Sequence, residues 1–191
     1  IAAHCVHLED EDIEILAEKK VGVAHNPGSN LKLGSGIAPV ARLLEAGVAV
    51  GLGTDGAASN NNLDLIEEMR LAALLAKGEA MEPTLIPAKR ALQMATVNGA
   101  SVLGLVDVGI LKEGYKADLI ALNLKAPQAA PLFDPLAHVV YAAAAADVRY
   151  VVVDGEILVE EGSLTGLDLE RIIDECSRRS ERLTGRSMKN A

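Results

Sequence analysis

The stretch Gly51-Leu52-Gly53-Thr54-Asp55-Gly56 ends the apolar run of residues 48–52 and carries a single carboxylate, Asp55. A short apolar run of this kind is typical of a buried parallel strand. In a (β/α) barrel such strands end at the mouth, where catalytic and metal-binding side chains lie. Gly51 and Gly53 leave room for a close approach at this point. The stretch therefore predicts a barrel strand that delivers Asp55 to a candidate site.

Two earlier apolar runs end in the same way, and each supplies a histidine. Residues 1–6 contain His4, and residues 21–24 lead directly into His25. Because the carboxyl ends of parallel strands meet at one edge of a sheet, His4, His25 and Asp55 are predicted to lie near one another. Residues 26–36, rich in Asn, Gly and Ser, are predicted to form a loop beside them. Helices are predicted to follow the three runs, over the ranges 9–20, 39–46 and 63–77.

The number of strand–helix units limits the fold. The chain has 191 residues, half of them apolar, so it can bury a core. A complete eight-stranded barrel needs roughly 250 residues, and the alternation stops here after the third unit. The predicted fold is therefore α/β, as part of a (β/α)8 TIM barrel. The first residue already lies in a strand-like run, so we expect the chain to be a portion of a longer protein.

The pattern changes after about residue 105 from barrel units to β-rich runs. Asp154-Gly155 separates two such runs, and an Asp-Gly pair in this setting is a strong signal for a hairpin. Helical spacing returns after residue 166. We therefore assign residues 1–104 to the barrel part, residues 105–162 to a small β domain and residues 163–191 to a C-terminal helix.

Charge and composition argue against several classes of partner. With 27 acidic and 18 basic residues the formal charge is −9, and aromatic residues make up 2% of the chain, so no nucleic-acid partner is predicted. The longest apolar run, residues 139–146, is well short of the roughly 20 residues that a membrane span needs. Cys5 and Cys176 form no CxxC pair, so we predict reduced thiols and a cytoplasmic protein.

Each candidate residue also has a simpler structural interpretation. His4 alone would be a hydrogen-bonded core histidine, Asp55 a residue of an ordinary turn, and His25 part of a loop that folds over the barrel. His7 would lie on the other face of a strand from His4 and is given a structural role. Asn residues at 60–62 are expected to cap the next helix. The sequence contains no G-x-S-x-G motif and no phosphate-binding loop, and it lacks the H-x-E with P-C-x-x-C signature.

Three stretches resemble the amidohydrolase superfamily: residues 2–8 around His4, residues 25–33 from His25 onwards, and residues 51–61 around Asp55. Within it, the chain is most similar to the 5-methylthioadenosine/S-adenosylhomocysteine deaminases and their triazine chlorohydrolase relatives. Residues 114–119 resemble the segment that leads into the accessory β-sandwich of the superfamily. The resemblance implies that the three units are barrel strands six, seven and eight.

The resemblance also implies roles for the candidate residues. Asp55 matches the strand-eight aspartate that binds the metal, which is expected to be zinc, with another divalent metal such as iron as the alternative. Asp55 would take a proton from the metal-bound water and pass it to the departing ammonia. His4 would contact that water or the intermediate, and His25 is a further candidate for substrate binding. The expected reaction is hydrolytic deamination of an adenine-type nucleoside.

Part of the site implied by the resemblance has no counterpart in this chain. The superfamily has a His-x-His pair on strand one, and a histidine on strand five that is followed by a glutamate. One carboxylate cannot hold zinc in a four-coordinate site, so the fragment alone is expected to be inactive without the N-terminal half of the barrel. The alternatives are a triazine chlorohydrolase, a guanine deaminase or a non-catalytic truncated association module. The resemblance favours a homo-oligomer.

Overall fold

Three short parallel strands form the first sheet of the computed structural model, which describes residues 1–185. They lie in the order β1 (Ala2–Ala3), β2 (Val23–His25) and β3 (Val50–Leu52). The strands are shorter than the predicted runs, and His4 follows β1 instead of lying within a strand. The parallel pairing and the alternation with helices agree with the predicted α/β class.

Helices follow each of these strands. They are α1 (Asp10–Glu18) after β1; α2 (Pro27–Lys32) and α3 (Val40–Glu45) after β2; and α4 (Ala57–Asn60), α5 (Leu65–Ala80), α6 (Ala88–Ala95) and α7 (Val97–Val102) after β3. The prediction of a continuous loop over residues 26–36 is wrong, because α2 lies within it. Pro27 occupies the start of that helix, where its missing N–H costs nothing.

Asp64 caps the N-terminus of helix α5, and its Oδ1 accepts hydrogen bonds from the amides of Ile66 and Glu67. The expectation that residues 60–62 cap this helix is therefore wrong. Its inner face carries apolar residues at helical spacing: Ile66, Met69, Ala72 and Ala73 are buried there, whereas the neighbouring Leu65 is exposed. This face packs towards α6 and joins a core that includes Val23, Val50, Leu43 and Met94.

The second sheet is antiparallel. Its strands lie in the order β4 (Leu119–Leu122), β5 (Val148–Val153), β6 (Glu156–Glu160) and β7 (Ser163–Leu164). The hairpin prediction is confirmed: β5 and β6 pair across Asp154 and Gly155, whose φ angles are 52° and 84°. Two positive φ angles are what a tight hairpin turn of type I′ requires.

Two further helices complete the described residues. Helix α8 (Pro135–Tyr141) lies between β4 and β5 in sequence but packs against α5 and α6, and its Val140 is fully buried. Helix α9 (Leu169–Thr184) has no buried residue. The last six residues of the predicted C-terminal segment, 186–191, lie outside the described residues. Among the helices of residues 1–185, none has the length and apolar character needed to cross a membrane.

Candidate active site

The three candidate residues lie at one edge of the parallel sheet. His4 directly follows β1, His25 is the last residue of β2, and Asp55 lies shortly after the end of β3. The parallel register places His25 opposite Leu52, so the three strand ends are neighbours. The Nε2 atom of His4 and the Oδ2 atom of Asp55 are 4.0 Å apart. The fold thus brings together residues that are up to 51 positions apart in the sequence.

Two serine hydroxyls hold the carboxylate of Asp55. Ser29 Oγ donates to its Oδ2 atom over 2.7 Å, and Ser59 Oγ donates to the same atom over 2.6 Å. These bonds stabilise the ionised form and, with the amide of Gly56, lower the pKa of Asp55 from 3.8 to about 2. The φ angle of Asp55 is 61°, a left-handed conformation that Asp adopts more readily than most residues. The site therefore presents a charged, exposed carboxylate in a fixed direction.

Asn30 holds the imidazole ring of His4 at its Nδ1 atom. The Nδ1 atom of His4 lies 2.8 Å from Oδ1 of Asn30. Since an amide oxygen only accepts hydrogen bonds, Nδ1 carries the proton in this contact, and Nε2 is the ring atom that faces Asp55. The 4.0 Å between Nε2 and the Asp55 carboxylate exceeds a direct hydrogen bond. Two polar atoms at this separation can both bind one small group that lies between them.

His25 differs from the other two residues in being almost completely buried. Its exposed fraction is 1%. Burial, and secondarily the nearby His4, lower the pKa of His25 from 6.5 to about 4, so the imidazole is neutral at neutral pH. Within residues 1–185 its Nδ1 atom is buried and has no hydrogen-bond partner. Buried polar atoms are nearly always paired, so this nitrogen is available to a group that these residues do not supply.

The partners of Asp55 and His4 were not identified from the sequence. Ser29 and Asn30 are consecutive residues of α2, and both are buried. Ser59 belongs to α4, on the other side of Asp55. The only signal in the sequence was that residues 26–36 and 59–62 are rich in small polar side chains. Such a composition indicates a segment beside a site, but it does not predict which side chains point towards the site.

A buried carboxylate lies next to these segments and was also missed. Glu68 of α5 is 1% exposed, and burial raises its pKa. Its Oε2 accepts a hydrogen bond from the amide of Gly28 over 2.8 Å, and its Oε1 accepts one from Asn60 Nδ2 over 2.7 Å. Glu68 lies four residues before Ala72, on the apolar face of α5. A charged residue on an apolar helix face was the available signal.

The donor set fits a metal ion only in part. An ionised, exposed carboxylate such as Asp55 is a suitable zinc ligand. Nowhere in residues 1–185 do His, Cys, Asp and Glu side chains form a group of three or more that could hold a metal ion. A four-coordinate zinc site at Asp55 would therefore need ligands from outside the described part of the chain.

The chain also contains two further histidines and two cysteines. His7 is exposed, and His138 of α8 is half-buried. Cys5 and Cys176 are both free thiols, and burial raises the pKa of Cys5. None of these residues contributes a recorded hydrogen bond to Asp55 or His4 within residues 1–185.

Comparison with known proteins identifies the family of the chain. The sequence pattern of the Amidohydrolase family matches residues 1–158, and the chain belongs to that family. A 5-methylthioadenosine/S-adenosylhomocysteine deaminase of Pelotomaculum thermopropionicum is 55% identical over 186 residues, which cover 97% of this chain and 43% of the relative. The chain therefore spans less than half the length of this curated relative.

Two solved structures carry the same fold. An adenosine deaminase of Xanthomonas campestris with bound zinc superimposes with a TM-score of 0.94 at 36% identity, over 97% of this chain and 42% of that protein. An atrazine chlorohydrolase of Arthrobacter aurescens in complex with zinc gives a TM-score of 0.85 at 36% identity, over 92% of this chain and 39% of that protein.

Proposed function

We propose that this chain is the C-terminal part of a zinc-dependent hydrolase that deaminates adenine-type nucleosides, with 5-methylthioadenosine and S-adenosylhomocysteine as the first substrates to test. The observation that carries the proposal is the approach of His4 Nε2 to within 4.0 Å of the ionised carboxylate of Asp55, at the same edge of the parallel sheet. The choice of substrate follows the name of a relative that is 55% identical. Below, the full-length enzyme means a polypeptide that joins this chain to the remaining barrel.

In this proposal β1, β2 and β3 are strands six, seven and eight of the barrel, and the antiparallel sheet is a segment of an accessory β-sandwich. Asp55 is the one metal ligand that this chain contributes. When bound, zinc would lower the pKa of a water molecule to about 7, which makes hydroxide available near neutral pH. The superfamily's remaining ligands would come from the part of the barrel outside this chain.

The residues of this chain then have separate tasks. The Asp55 carboxylate, which the two serines keep ionised, accepts the proton of the attacking water and delivers it to the leaving ammonia. His4, held by Asn30, orients its Nε2 atom towards the oxygen that adds to the ring. The overall reaction adds water to the ring carbon that bears the amino group, forms a carbonyl there and releases ammonia. His25, with its unpaired Nδ1 atom, is proposed to contact the substrate.

The test compares the wild-type full-length enzyme with Asp55→Asn. We expect the wild type to hold about one zinc per chain by elemental analysis and to release ammonia from both candidate nucleosides. Asp55→Asn keeps the size of the side chain but removes its charge, so zinc content and turnover should both be lost. Asp174→Asn on the exposed helix α9 is the matched control and should behave as the wild type. Unchanged zinc content in Asp55→Asn would contradict the proposed metal site.

The second candidate is a chlorohydrolase that acts on a triazine ring, because a solved atrazine chlorohydrolase shares the fold with a TM-score of 0.85. The same wild-type protein can be tested for chloride release from atrazine. Chloride release without ammonia release from any purine nucleoside would favour this candidate. Zinc-free protein with neither activity would favour the third interpretation, a non-catalytic association module.

A further inference from the structure

Glu68 connects the two segments that hold Asp55. Its two carboxylate oxygens accept hydrogen bonds from different parts of the chain, Oε2 from the amide of Gly28 and Oε1 from the side chain of Asn60. The residue after Gly28 is Ser29, and the residue before Asn60 is Ser59. These are the two hydroxyls that donate to Asp55 Oδ2. One buried side chain therefore anchors both neighbours of the Asp55 donors.

The approach of Glu68 to α2 is unusually close. A Cβ atom at Gly28 would overlap Glu68 Oε1, and it would lie 2.9 Å from Asn60 Nδ2. A larger residue at position 28 would therefore displace the Glu68 carboxylate and the Asn60 amide from their present places. The close approach and the two hydrogen bonds involve the same three residues, Gly28, Asn60 and Glu68.

The burial of the Glu68 carboxylate has an energetic cost. A carboxylate that is 1% exposed loses most of its hydration, which is costly unless hydrogen bonds replace it. Here the two hydrogen bonds come from neutral groups, and no ion pair recorded within residues 1–185 involves Glu68. An apolar residue would pack this helix face without that cost. Unlike an apolar side chain, Glu68 offers acceptor oxygens to two specific donors, and it can therefore hold Gly28 and Asn60 in place.

We propose that Glu68 is a positioning residue that sets the places of Ser29 and Ser59 and, through them, the direction of the Asp55 carboxylate. The proposal rests on the proposed function only for its consequences for zinc and turnover. Glu68 contacts neither the reacting atoms nor Asp55 itself. Each of its two carboxylate oxygens accepts one hydrogen bond: Oε2 from Gly28 in α2, and Oε1 from Asn60 in α4.

The primary variant is Glu68→Gln in the full-length enzyme. A glutamine amide offers one acceptor oxygen and one donor nitrogen. Because Gly28 and Asn60 both donate to Glu68, one of these two donors would face the N–H group of the glutamine and lose its hydrogen bond. We expect zinc affinity of the apoprotein, measured by competition with a chromophoric chelator, to fall by about 10–100-fold, with a similar loss in kcat. Glu79→Gln, an exposed residue near the end of the same helix, makes the same charge change and should leave both quantities unaltered.

A second variant restores the hydrogen bond between residues 60 and 68 with the donor and the acceptor exchanged. In Asn60→Asp combined with Glu68→Gln, the glutamine oxygen still accepts from Gly28, and its nitrogen donates to the new carboxylate. The Oδ1 atom at position 60 keeps its hydrogen bond from the amide of Leu63. We expect this double variant to recover most of the zinc affinity and of kcat. A role in packing alone predicts no such rescue, because each substitution would simply add its own loss of stability.

Crystal structures of the metal-free variants decide the point without reference to activity. In Glu68→Gln, at least one serine Oγ should move beyond 3.5 Å from Asp55 Oδ2, compared with 2.7 and 2.6 Å here. Both serines remaining in place, or a Glu68→Gln enzyme with wild-type zinc affinity, would overturn the proposal. Wild-type protein that binds no zinc and deaminates nothing would instead contradict the proposed function, and the serine positions would still test the role of Glu68.

Discussion

His4 is the residue whose role is easiest to separate from metal binding. Its Nδ1 atom is used by Asn30, and its Nε2 atom faces Asp55 without bonding to it directly. We expect His4→Asn in the full-length enzyme to retain zinc while kcat falls by about 100-fold or more, since a positioned polar group of this kind typically contributes that much. Zinc analysis and steady-state kinetics provide the two measurements.

The matched control for this substitution is His7→Asn. His7 lies three residues further along and is exposed, so its replacement should leave zinc content and kcat as in the wild type. An unchanged kcat in His4→Asn would remove His4 from the reaction. Loss of zinc together with activity would make it a metal ligand instead.

His25 leads to a prediction about pH and stability. The folded protein keeps it neutral down to a pKa of about 4, whereas the unfolded chain takes up the proton near 6.5. The unfolded state therefore binds more protons between these values, and stability falls as pH decreases through this window. For a side chain that is 1% exposed, the difference corresponds to roughly 3 kcal/mol.

The measurement is urea unfolding of the full-length enzyme at pH 7 and pH 4.5. Wild-type protein should lose about 2–3 kcal/mol more over this range than His25→Gln, which cannot titrate there. His7→Gln is the matched control, because it makes the same substitution at an exposed histidine. Equal pH dependence in wild type and His25→Gln would show that burial does not control the protonation of His25.

The candidate residues could be predicted from sequence because they follow apolar runs, a local feature. Their partners could not. Ser29 lies 26 residues from Asp55, and Gly28 lies 40 residues from Glu68. Hydrogen bonds over such separations exist only after α2, α4 and α5 have packed together, and no spacing rule reports them. Glu68 is the one such residue with a signal in the sequence, because a charged residue is unexpected on the apolar face of α5.

At the scale of elements, the contact of β3 with α7 depends on a glycine pair. The sequence indicated a close approach at Gly51, and the structure shows what approaches: a Cβ atom there would lie 2.8 Å from the Cα atom of Gly99. Because that neighbour is backbone, it cannot rotate away. We expect Gly51→Ala to push α7 from the sheet and to destabilise the full-length enzyme by about 1–3 kcal/mol in urea unfolding.

Gly78→Ala is the control for that experiment. Gly78 lies within α5, where an added Cβ meets nothing within 4 Å. Alanine is the better helix former, so this variant should be stabilised by about 0.5–1 kcal/mol. Opposite signs for the two glycines are the expected result. Equal and small effects would mean that the contact between β3 and α7 relaxes easily.

Element boundaries show where local rules fail. The segment that forms α2 was predicted as loop because Pro, Gly, Ser and Asn are turn residues. It is instead a six-residue helix, Pro27–Lys32, and its buried Ser29 and Asn30 contact the site. Its stability comes from tertiary contacts such as the hydrogen bond between Gly28 and Glu68, which outweigh a poor intrinsic propensity. The hairpin at Asp154-Gly155 was predicted correctly because a turn of two residues is fixed by its own backbone angles.

The molecule as a whole exposes strand edges and apolar side chains. Within residues 1–185, β1 and β3 each pair with one neighbour only, so both edges of the parallel sheet are open. Large apolar side chains are also exposed, among them Phe133 at 90% and Val106 at 83%. Open strand edges and apolar surface of this kind promote association. Both features agree with a chain that spans 43% of its curated relative.

A polypeptide of residues 1–191 alone is therefore expected to self-associate as its concentration rises. It is also expected to hold no stoichiometric zinc, because in the proposed site it supplies Asp55 as its one metal ligand. Light scattering after size exclusion and elemental analysis measure the two properties. Coexpression with a separate polypeptide for the remaining barrel should give a one-to-one complex with zinc and deaminase activity. In that complex, Asp55→Asn should abolish zinc binding while assembly is retained, since the strand edges are unaffected. A monodisperse isolated chain with one tightly bound zinc would show that the site is complete without the other barrel strands.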